Sequence, residues 1–402
     1  MAVSPSKFPS VFAGFNGRTA IIAVSVFLNF AGFTLIIPVL PFSVARYVAA
    51  QDIALWVSLT LALYSLCSFV AAPVLGAMSD RFGRRPIMLF SLCGSALGFA
   101  VFGIGGSLWI LLVGRVIEGV TAGSISALYA YVADTHSPAK RGQAFGMLGA
   151  AGGLGFMLGP VLGGTLGQVS LSAPLYGAAG LAMVNFILVW FYLPESHQRA
   201  NRRAHLSWRQ FNAISQLVRT LRDRRLRLLF AVVFCFTLGG AVLQANLTVL
   251  LMDLLAFQPT SIGLVLAGVG VMDIVSQGFA APRLQSLFGE RRVATAGLVI
   301  NGLGLVLLAL LPLHAAATLL VAGIAIFTFG DGLFQPSASA LIANAAPAER
   351  QGEVQGANQA QQAIARTAGP LGAAWLYGVS PSAPYAAAAI VVLLAAALLT
   401  RK

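Results

Sequence analysis

Five charged residues lie inside long apolar stretches of this 402-residue chain. A charge at the centre of a membrane-spanning helix costs about 2.5–3.5 kcal/mol unless it faces a cavity or a partner. The five are Arg115, Glu118, Asp273, Asp331 and Arg366. A carboxyl group in such a position can bind a proton when it is desolvated and release it when it opens to water or meets a cation. Asp273, Asp331 and Glu118 are therefore candidate proton carriers.

The composition places these charges in a membrane protein. Hydrophobic residues make up 58% of the chain and charged residues 9%, with a mean hydropathy of +0.85. Apolar runs of about 20 residues are long enough to cross about 30 Å of hydrocarbon. Twelve such runs occur, at roughly 19–41, 53–75, 86–106, 108–132, 142–165, 173–193, 228–252, 261–283, 293–312, 317–341, 354–378 and 382–400. The sequence predicts an all-α membrane protein with twelve transmembrane helices.

The formal net charge of +13 follows a topological pattern. With both termini in the cytoplasm, all but three of the 25 Lys and Arg residues fall in the termini or in loops on the same side. The exceptions are Arg46 in an opposite loop and Arg115 and Arg366 inside spans. This positive-inside pattern accounts for the basicity without nucleic acid, and predicts contact with anionic lipid headgroups.

Neither a metal site nor an enzyme active site is predicted. The cysteines Cys67, Cys93 and Cys235 all fall in apolar spans, with no metal-ligand spacing and no disulfide framework. A membrane-embedded enzyme would need a cluster of His, Asp or Glu at a membrane face, and the sequence has none. It also lacks a phosphate-binding loop, so ATP-driven pumping is not expected, and no cofactor is predicted.

The chain divides into two halves that resemble each other. We predict a six-helix half at 1–193, a basic cytoplasmic linker at 194–227 and a second six-helix half at 228–402. Three segments recur at an offset of about 206 to 210 residues. They are Phe82-Gly83 with Phe288-Gly289, Pro138-Ala139-Lys140-Arg141 with Pro347-Ala348-Glu349-Arg350, and Gly159-Pro160 with Gly369-Pro370. Two pseudo-symmetric halves predict a substrate site between them near the midplane, with alternating access.

A dense group of charges separates the second and third spans, in the segment GAMSDRFGRRP at 76–86. It cannot lie in hydrocarbon, so we expect a tight turn at the membrane surface. Gly76 would allow close helix approach, and Asp80 would lie near a helix N-terminus or pair with a nearby arginine. The residues of this candidate gating motif are Gly76, Asp80, Arg81, Gly83, Arg84 and Arg85.

The fifth span carries glycines at every fourth position. This ridge contains a proline that should bend the helix, and it suits close packing at an interface between the halves. The ridge consists of Gly155, Gly159, Gly163 and Gly167, with Pro160 and Gly164 beside it.

Asp273, Asp331 and Arg366 are expected at a similar depth near the midplane, as a polar cluster in the C-terminal half. Arg366 continues a stripe of glutamines that is too polar for lipid and should line the central cavity. The stripe is Gln355, Gln359 and Gln362, with Asn358 beside it. Arg115 and Glu118 share a helical face and are expected to pair. The remaining cavity candidates are Asn29, Phe33 and Gln244.

These motifs resemble those of the major facilitator superfamily over the whole chain. The 76–86 segment is similar to its signature loop, Arg115-Val116-Ile117-Glu118-Gly119 to a fourth-span motif, and the fifth-span glycines to the antiporter motif of its twelve-span drug:proton exporters. Together with Ile37-Pro38-Val39-Leu40-Pro41, the loop is most similar to that of tetracycline:proton antiporters. The resemblance implies a loop that latches the cytoplasmic side closed in the outward-facing state.

The sequence departs from the tetracycline exporters at three positions. Those proteins carry acidic residues at the positions of Asn29 and Gly98, and a histidine at the position of Asp273. The departures weigh against tetracycline as the substrate and favour a proton site in the C-terminal half.

Two functions remain open. The first is proton-coupled export of small amphipathic molecules; the alternative is a metabolite permease of the same fold, working by symport or facilitated diffusion. We expect a monomer in a bacterial inner membrane, with a small-molecule substrate and protons as partners.

Overall fold

The computed structural model describes residues 17–136, 138–197, 217–218, 220–314, 316–346 and 351–400. These residues form helices joined by short connections, and none of them lies in a strand. Eleven stretches in this part of the chain are long and apolar enough to cross a membrane. A further helix, Gln351–Val379, has 29 residues and carries the glutamine stripe. The prediction of an all-α membrane protein is confirmed.

The helices are numbered α1 to α12 by span. The first six are α1 Gly17–Leu35, continued by Ile37–Val39 and Leu40–Ala45; α2 Ile53–Phe82; α3 Arg84–Ile104; α4, made of Leu108–Val120 and Ser124–Thr135; α5 Pro138–Val169; and α6 Ala173–Tyr192. The last six are α7 Arg224–Leu255; α8 Pro259–Val275, continued by Ser276–Ala280 and Ala281–Phe288; α9 Glu290–Leu310; α10 Ala317–Ala345; α11 Gln351–Val379; and α12 Ala383–Thr400.

The two halves repeat the same helix-to-helix connections. Gly83 separates α2 from α3 with φ 112°, and Gly289 separates α8 from α9 with φ 80°. A side chain rarely adopts this backbone region, so both positions require glycine. Beyond each glycine an arginine donates to a carbonyl of the last helix of its half: Arg85 to Trp190 and Arg291 to Leu399. The internal repeat of the sequence is therefore also found in these contacts of the structure.

The halves meet along two helix pairs, α5 with α8 and α2 with α11. Glycines allow the α5–α8 contact. A Cβ added at Gly164 would lie 2.5 Å from the carbonyl oxygen of Pro259, and one added at Gly270 would lie 2.7 Å from Cα of Met157. Backbone therefore packs directly on backbone between the halves.

An apolar cluster joins the two halves at the end of the bundle remote from Asp80. It contains Leu40 and Ile53 of the first half together with Val249 of the second, all buried. Tyr377 packs against this cluster and donates a hydrogen bond of 3.1 Å to Asp253.

The structure refines several local features of the predicted spans. The turn expected at 76–86 is a single residue, because α2 continues to Phe82 and α3 begins at Arg84. The eighth span contains a π-helical segment, Ser276–Ala280, directly after Val275. The end of the predicted linker is helical, since α7 begins at Arg224. Most of that linker, and part of the repeated segments at 138–141 and 347–350, lie outside the described residues.

Candidate functional site

Arg115 and Glu118 form an ion pair inside α4, as their spacing predicts. Arg115 NH1 lies 2.8 Å from Glu118 Oε2, and the two side chains are 1% and 5% exposed. Gly98 of α3 makes room for the pair, because a Cβ there would lie 2.9 Å from the backbone nitrogen of Glu118. The rest of the guanidinium faces aromatic rings, with its carbon 4.8 Å from the centroid of Phe102. The ring face of Phe102 is a favourable surface for this cation.

Tyr64 of α2 connects this pair to the second half, and the sequence analysis did not select it. Its ring centroid lies 6.0 Å from the Arg115 guanidinium carbon and 5.4 Å from the ring of Phe33. Its hydroxyl is also within electrostatic range of Glu118 and of Arg366 on α11. A tyrosine in an apolar span gives no periodic signal, so only the three-dimensional structure reveals this position.

Asp273 and Asp331 come together in the second half. The charge of Asp331 interacts with those of Asp273 and Arg366. The helices approach closely next to the two carboxyl groups, because Gly332 packs against the Ser276 side chain. No nitrogen–oxygen contact within 4.0 Å links Arg366 to a carboxylate among the residues described. The cluster is therefore electrostatic and does not include a direct ion pair.

Each of these aspartates has a glutamine one turn further along its helix. The side chain of Gln277 lies near the Asp273 carboxyl group, and that of Gln335 lies near the Asp331 carboxyl group. Oδ1 of Asp273 is buried without a hydrogen-bond partner. An unpaired buried acceptor is costly, and a proton on the carboxyl group would reduce that cost.

Arg366 lies on a polar face of α11. Its NH2 donates to Gln362 Oε1 at 3.2 Å, and Arg366 and Gln359 are both exposed. The opposite face of the helix carries the exposed apolar residues Leu371 and Trp375, at 38% and 73%. Since the apolar face suits lipid, the polar face opens to the interior of the bundle.

The other cavity candidates occupy three helices. Asn29 of α1 donates a hydrogen bond of 2.9 Å to Ser124 of α4. Phe33 packs on Tyr64, as described above. Gln244 is exposed, although the α7 residues on both sides of it, Leu243 and Ala245, are buried. Asn358 is buried and accepts from Gln361 at 3.0 Å, a partner that the stripe did not predict.

The 76–86 segment is held together by Arg84. Its side chain contacts Asp80 at 2.6 Å and Asp134 at 3.0 Å. Glu195 accepts hydrogen bonds from the backbone nitrogens of Arg84 and Arg85, which lie at the N-terminus of α3. Asp80 therefore pairs with an arginine, one of its two expected arrangements. Asp80 and Asp134 belong to the first half, and Glu195 lies at the start of the linker.

Two other residues of this segment play smaller parts. The expectation that Gly76 allows close helix approach was wrong, because nothing lies within 4 Å of a Cβ placed there. Arg81 is exposed and stacks on Phe82, with its guanidinium carbon 5.3 Å from the ring centroid.

The α5 glycines contact both halves. Gly155, Gly159 and Gly163 pack on the backbone of α1 at Phe27, Ala31 and Leu35, whereas Gly164 packs on α8. The carbonyl of Pro160 faces Gly263 of α8. The helix is thus fixed to its own half on one face and to the opposite half on the other.

Within the part of the chain that the structure describes, no group of three His, Cys, Asp or Glu side chains could hold a metal ion. The polar groups that converge on the interior are instead suited to binding protons and polar ligands.

Twelve helices in two similar halves, with charged residues facing the space between them, define a membrane transporter. The chain belongs to the Major Facilitator Superfamily, whose sequence model matches residues 22–253 and 229–402.

Several relatives cover nearly the whole chain. It is 35% identical over 367 residues to the class C tetracycline resistance protein of Escherichia coli, with 91% of each chain covered. It is 29% identical over 381 residues to the multidrug resistance protein MdtG of Yersinia enterocolitica, covering 91% of this chain and 88% of that one. The crystal structure of the human organic anion transporter MFSD10 matches with a TM-score of 0.75 and 26% identity, covering 95% and 99%. The expected family is confirmed.

Proposed function

We propose that this chain is a secondary transporter that exports small amphipathic molecules in exchange for protons. The observation that carries the proposal is the pair of carboxyl groups, Asp273 and Asp331, on two helices of the second half beside Arg366. Resistance proteins among the relatives support export as the direction.

The two aspartates account for proton coupling. Two like charges close together in a poorly solvated site repel each other, and a single shared proton removes the repulsion. Arg366 favours the ionised form of Asp331, so a movement that separates the two residues favours proton uptake. Binding of a substrate near Arg366 would also change the interaction between Arg366 and Asp331, and with it the protonation of Asp331. Asp273 and Asp331 are thus the proposed proton carriers, whereas Glu118 is occupied by Arg115.

The packing of α5 between α1 and α8 supports alternating access. Smooth glycine surfaces let the halves rock without displacing large side chains. We propose that the apolar cluster around Leu40 and Val249 seals one side of the substrate pathway, and that the Arg84 network acts as the latch for the other side.

The membrane orientation remains a proposal too. We propose that the chain lies in the inner membrane with both termini in the cytoplasm. This orientation places the basic loops on the cytoplasmic side. Because of the internal repeat, we propose that the chain divides into a first half at 1–193, a linker at 194–227 and a second half at 228–402. One chain would form a complete transport pathway. Anionic headgroups would contact the basic loops.

Proton release from everted membrane vesicles tests the function. Respiration acidifies the vesicle lumen and quenches acridine orange, and an exchanged compound restores the fluorescence as protons leave. Tetracycline, 2-naphthylacetate, 2-naphthylacetamide and 2-(2-naphthyl)ethylamine are added one at a time. Antiport predicts, with at least one of them, a recovery larger than in vesicles without the chain, because the amine is a weak base that also neutralises an acidic lumen by diffusion. A symport permease would give no such additional recovery, since it moves the compound and protons in the same direction. Failure of all four to release protons would contradict the proposal.

A further inference from the structure

We propose that the site around Arg366 binds the anionic group of an amphipathic substrate, a carboxylate or a sulfonate. The inference rests on the proposed transport function and names the substrate class that this function would serve. Three properties of the site carry it: the accessibility of Arg366, its free hydrogen-bond donors, and the aromatic wall opposite.

Arg366 is accessible from the interior of the bundle. It lies near the middle of α11, and its side chain is exposed. With 3.6 residues per turn, Arg366 lies on the same face as Gln359 and Gln362, whereas Leu371 and Trp375 point to the other side. The accessible surface of the guanidinium therefore belongs to the cavity between the halves.

Most N–H groups of the Arg366 guanidinium have no side-chain partner among the described residues. It carries five N–H groups, and the structure gives it one side-chain partner, Gln362 at 3.2 Å. In the first half the corresponding cation, Arg115, is buried and already paired with Glu118. No carboxylate of the described residues lies within 4.0 Å of Arg366. Arg366 is thus a cation in a cavity with its fork of donors free for a ligand carboxylate.

The surroundings of Arg366 favour an anion over a cation. The amide groups of Gln359 and Gln362 add further donors on the same face. The carboxyl groups of Asp273 and Asp331 each lie near a glutamine of their own helix. A cationic ligand that approached these carboxyl groups would meet repulsion from Arg366.

The apolar part of the substrate has a partner as well. Phe33 and Tyr64 form a tilted aromatic pair with ring centroids 5.4 Å apart. The charge of Arg366 interacts with the Tyr64 hydroxyl, so the aromatic pair lies within electrostatic range of the cation. An anionic head on Arg366 and an apolar ring against Phe33 and Tyr64 would bridge the two halves of the transporter.

Binding of three probes with the same ring tests the proposal. The full chain is placed in nanodiscs of phosphatidylcholine and titrated calorimetrically with 2-naphthylacetate, 2-naphthylacetamide and 2-(2-naphthyl)ethylamine, which are anionic, neutral and cationic at pH 7. Wild type and the variants Arg366→Gln and Arg366→Lys are compared. Arg46→Gln, an exposed arginine beyond the helix Leu40–Ala45, is the matched control.

We expect 2-naphthylacetate to bind at least about tenfold more tightly than the amide, as a charge-assisted fork of hydrogen bonds would give. Arg366→Gln should abolish that preference, Arg366→Lys should keep part of it as a point charge, and Arg46→Gln should leave it unchanged. Partial retention in Arg366→Lys would show that the positive charge contributes to the preference. Unchanged affinity of the amide in Arg366→Gln would show that the loss of preference in this variant is not caused by misfolding.

Three results would overturn the inference: tightest binding of the amine, an unchanged preference in Arg366→Gln, or no binding of 2-naphthylacetate. Nanodiscs carry no proton gradient, so the outcome is separate from that of the transport assay. A chain that binds the anion but releases no protons contradicts only the proposed function. One that exchanges the amine for protons contradicts only the anion site.

Discussion

Arg115 and Glu118 lie 2.8 Å apart in α4 and are both almost completely buried. The first half of the transporter thus neutralises its intramembrane charges within one helix. The second half does not, because Asp273, Asp331 and Arg366 lie on three helices that interact through space. Charges on separate helices change their interaction when the helices move, whereas a pair on one helical turn keeps it. This contrast supports our proposal that the coupling chemistry lies in the second half.

Removing one member of the Arg115–Glu118 pair should destabilise the protein. Arg115→Met leaves Glu118 buried without a counter-charge, which costs about 3–5 kcal/mol for a buried pair. The double variant Arg115→Met with Glu118→Met should recover most of the lost thermal stability, because both charges are gone. Thermal unfolding of the three proteins in the same detergent gives the comparison. If the double variant is no more stable than Arg115→Met, then Arg115 also stabilises the protein through groups other than Glu118.

Gly164 should be essential for the contact between the halves. Gly164→Ala places a methyl group 2.5 Å from the Pro259 carbonyl oxygen of α8, so the halves must separate there. We expect loss of transport in everted vesicles while the protein stays in the membrane. Gly149→Ala in the same helix is the control, because nothing lies within 4 Å of its added Cβ. Equal activity of the two variants would mean that α5 does not pack on α8 during transport.

Gly83 and Gly76 should differ sharply, although both belong to the same segment. Gly83 has φ 112°, and an alanine there costs about 1–3 kcal/mol of backbone strain. Gly76 is inside a helix with open space beside it, so Gly76→Ala should raise stability slightly. Melting temperatures of the two variants test this. A greater loss in Gly76→Ala would indicate that another conformation packs a helix against Gly76.

Arg84 should couple Asp80 to Asp134. Arg84→Gln removes contacts of 2.6 Å and 3.0 Å to the two carboxylates, so we expect a lower transport rate than in Arg81→Gln, whose side chain is exposed and only stacks on Phe82. In a double-mutant cycle, Arg84→Gln and Asp134→Asn should be strongly non-additive in transport rate. Additive effects would mean that the contact is not maintained during the cycle.

The sequence was enough to predict the class of protein and its all-α fold. Hydropathy marks helices because the bilayer leaves the backbone no other way to satisfy its hydrogen bonds. The pairing of Arg115 with Glu118 also follows from spacing, since residues three apart share a helical face.

What the sequence could not provide is the contact between distant helices. Tyr64 was missed because its neighbours, Arg115 and Phe33, lie on other helices. Gly76 was misjudged since a small residue in a motif does not reveal whether a helix faces it. The π-helical segment at Ser276–Ala280 has no composition signal, so only the three-dimensional structure reveals it.

The central claim is that Asp273 and Asp331 couple transport to protons. The most direct measurement is proton release from everted vesicles, with the probe that gives the largest response in the wild type, for Asp331→Asn, Asp273→Asn and the control Asp52→Asn. Asp52 lies in the short turn before α2, outside the cluster. We predict that both cluster variants lose proton release while Asp52→Asn keeps it. Wild-type proton release in both Asp331→Asn and Asp273→Asn would contradict the account.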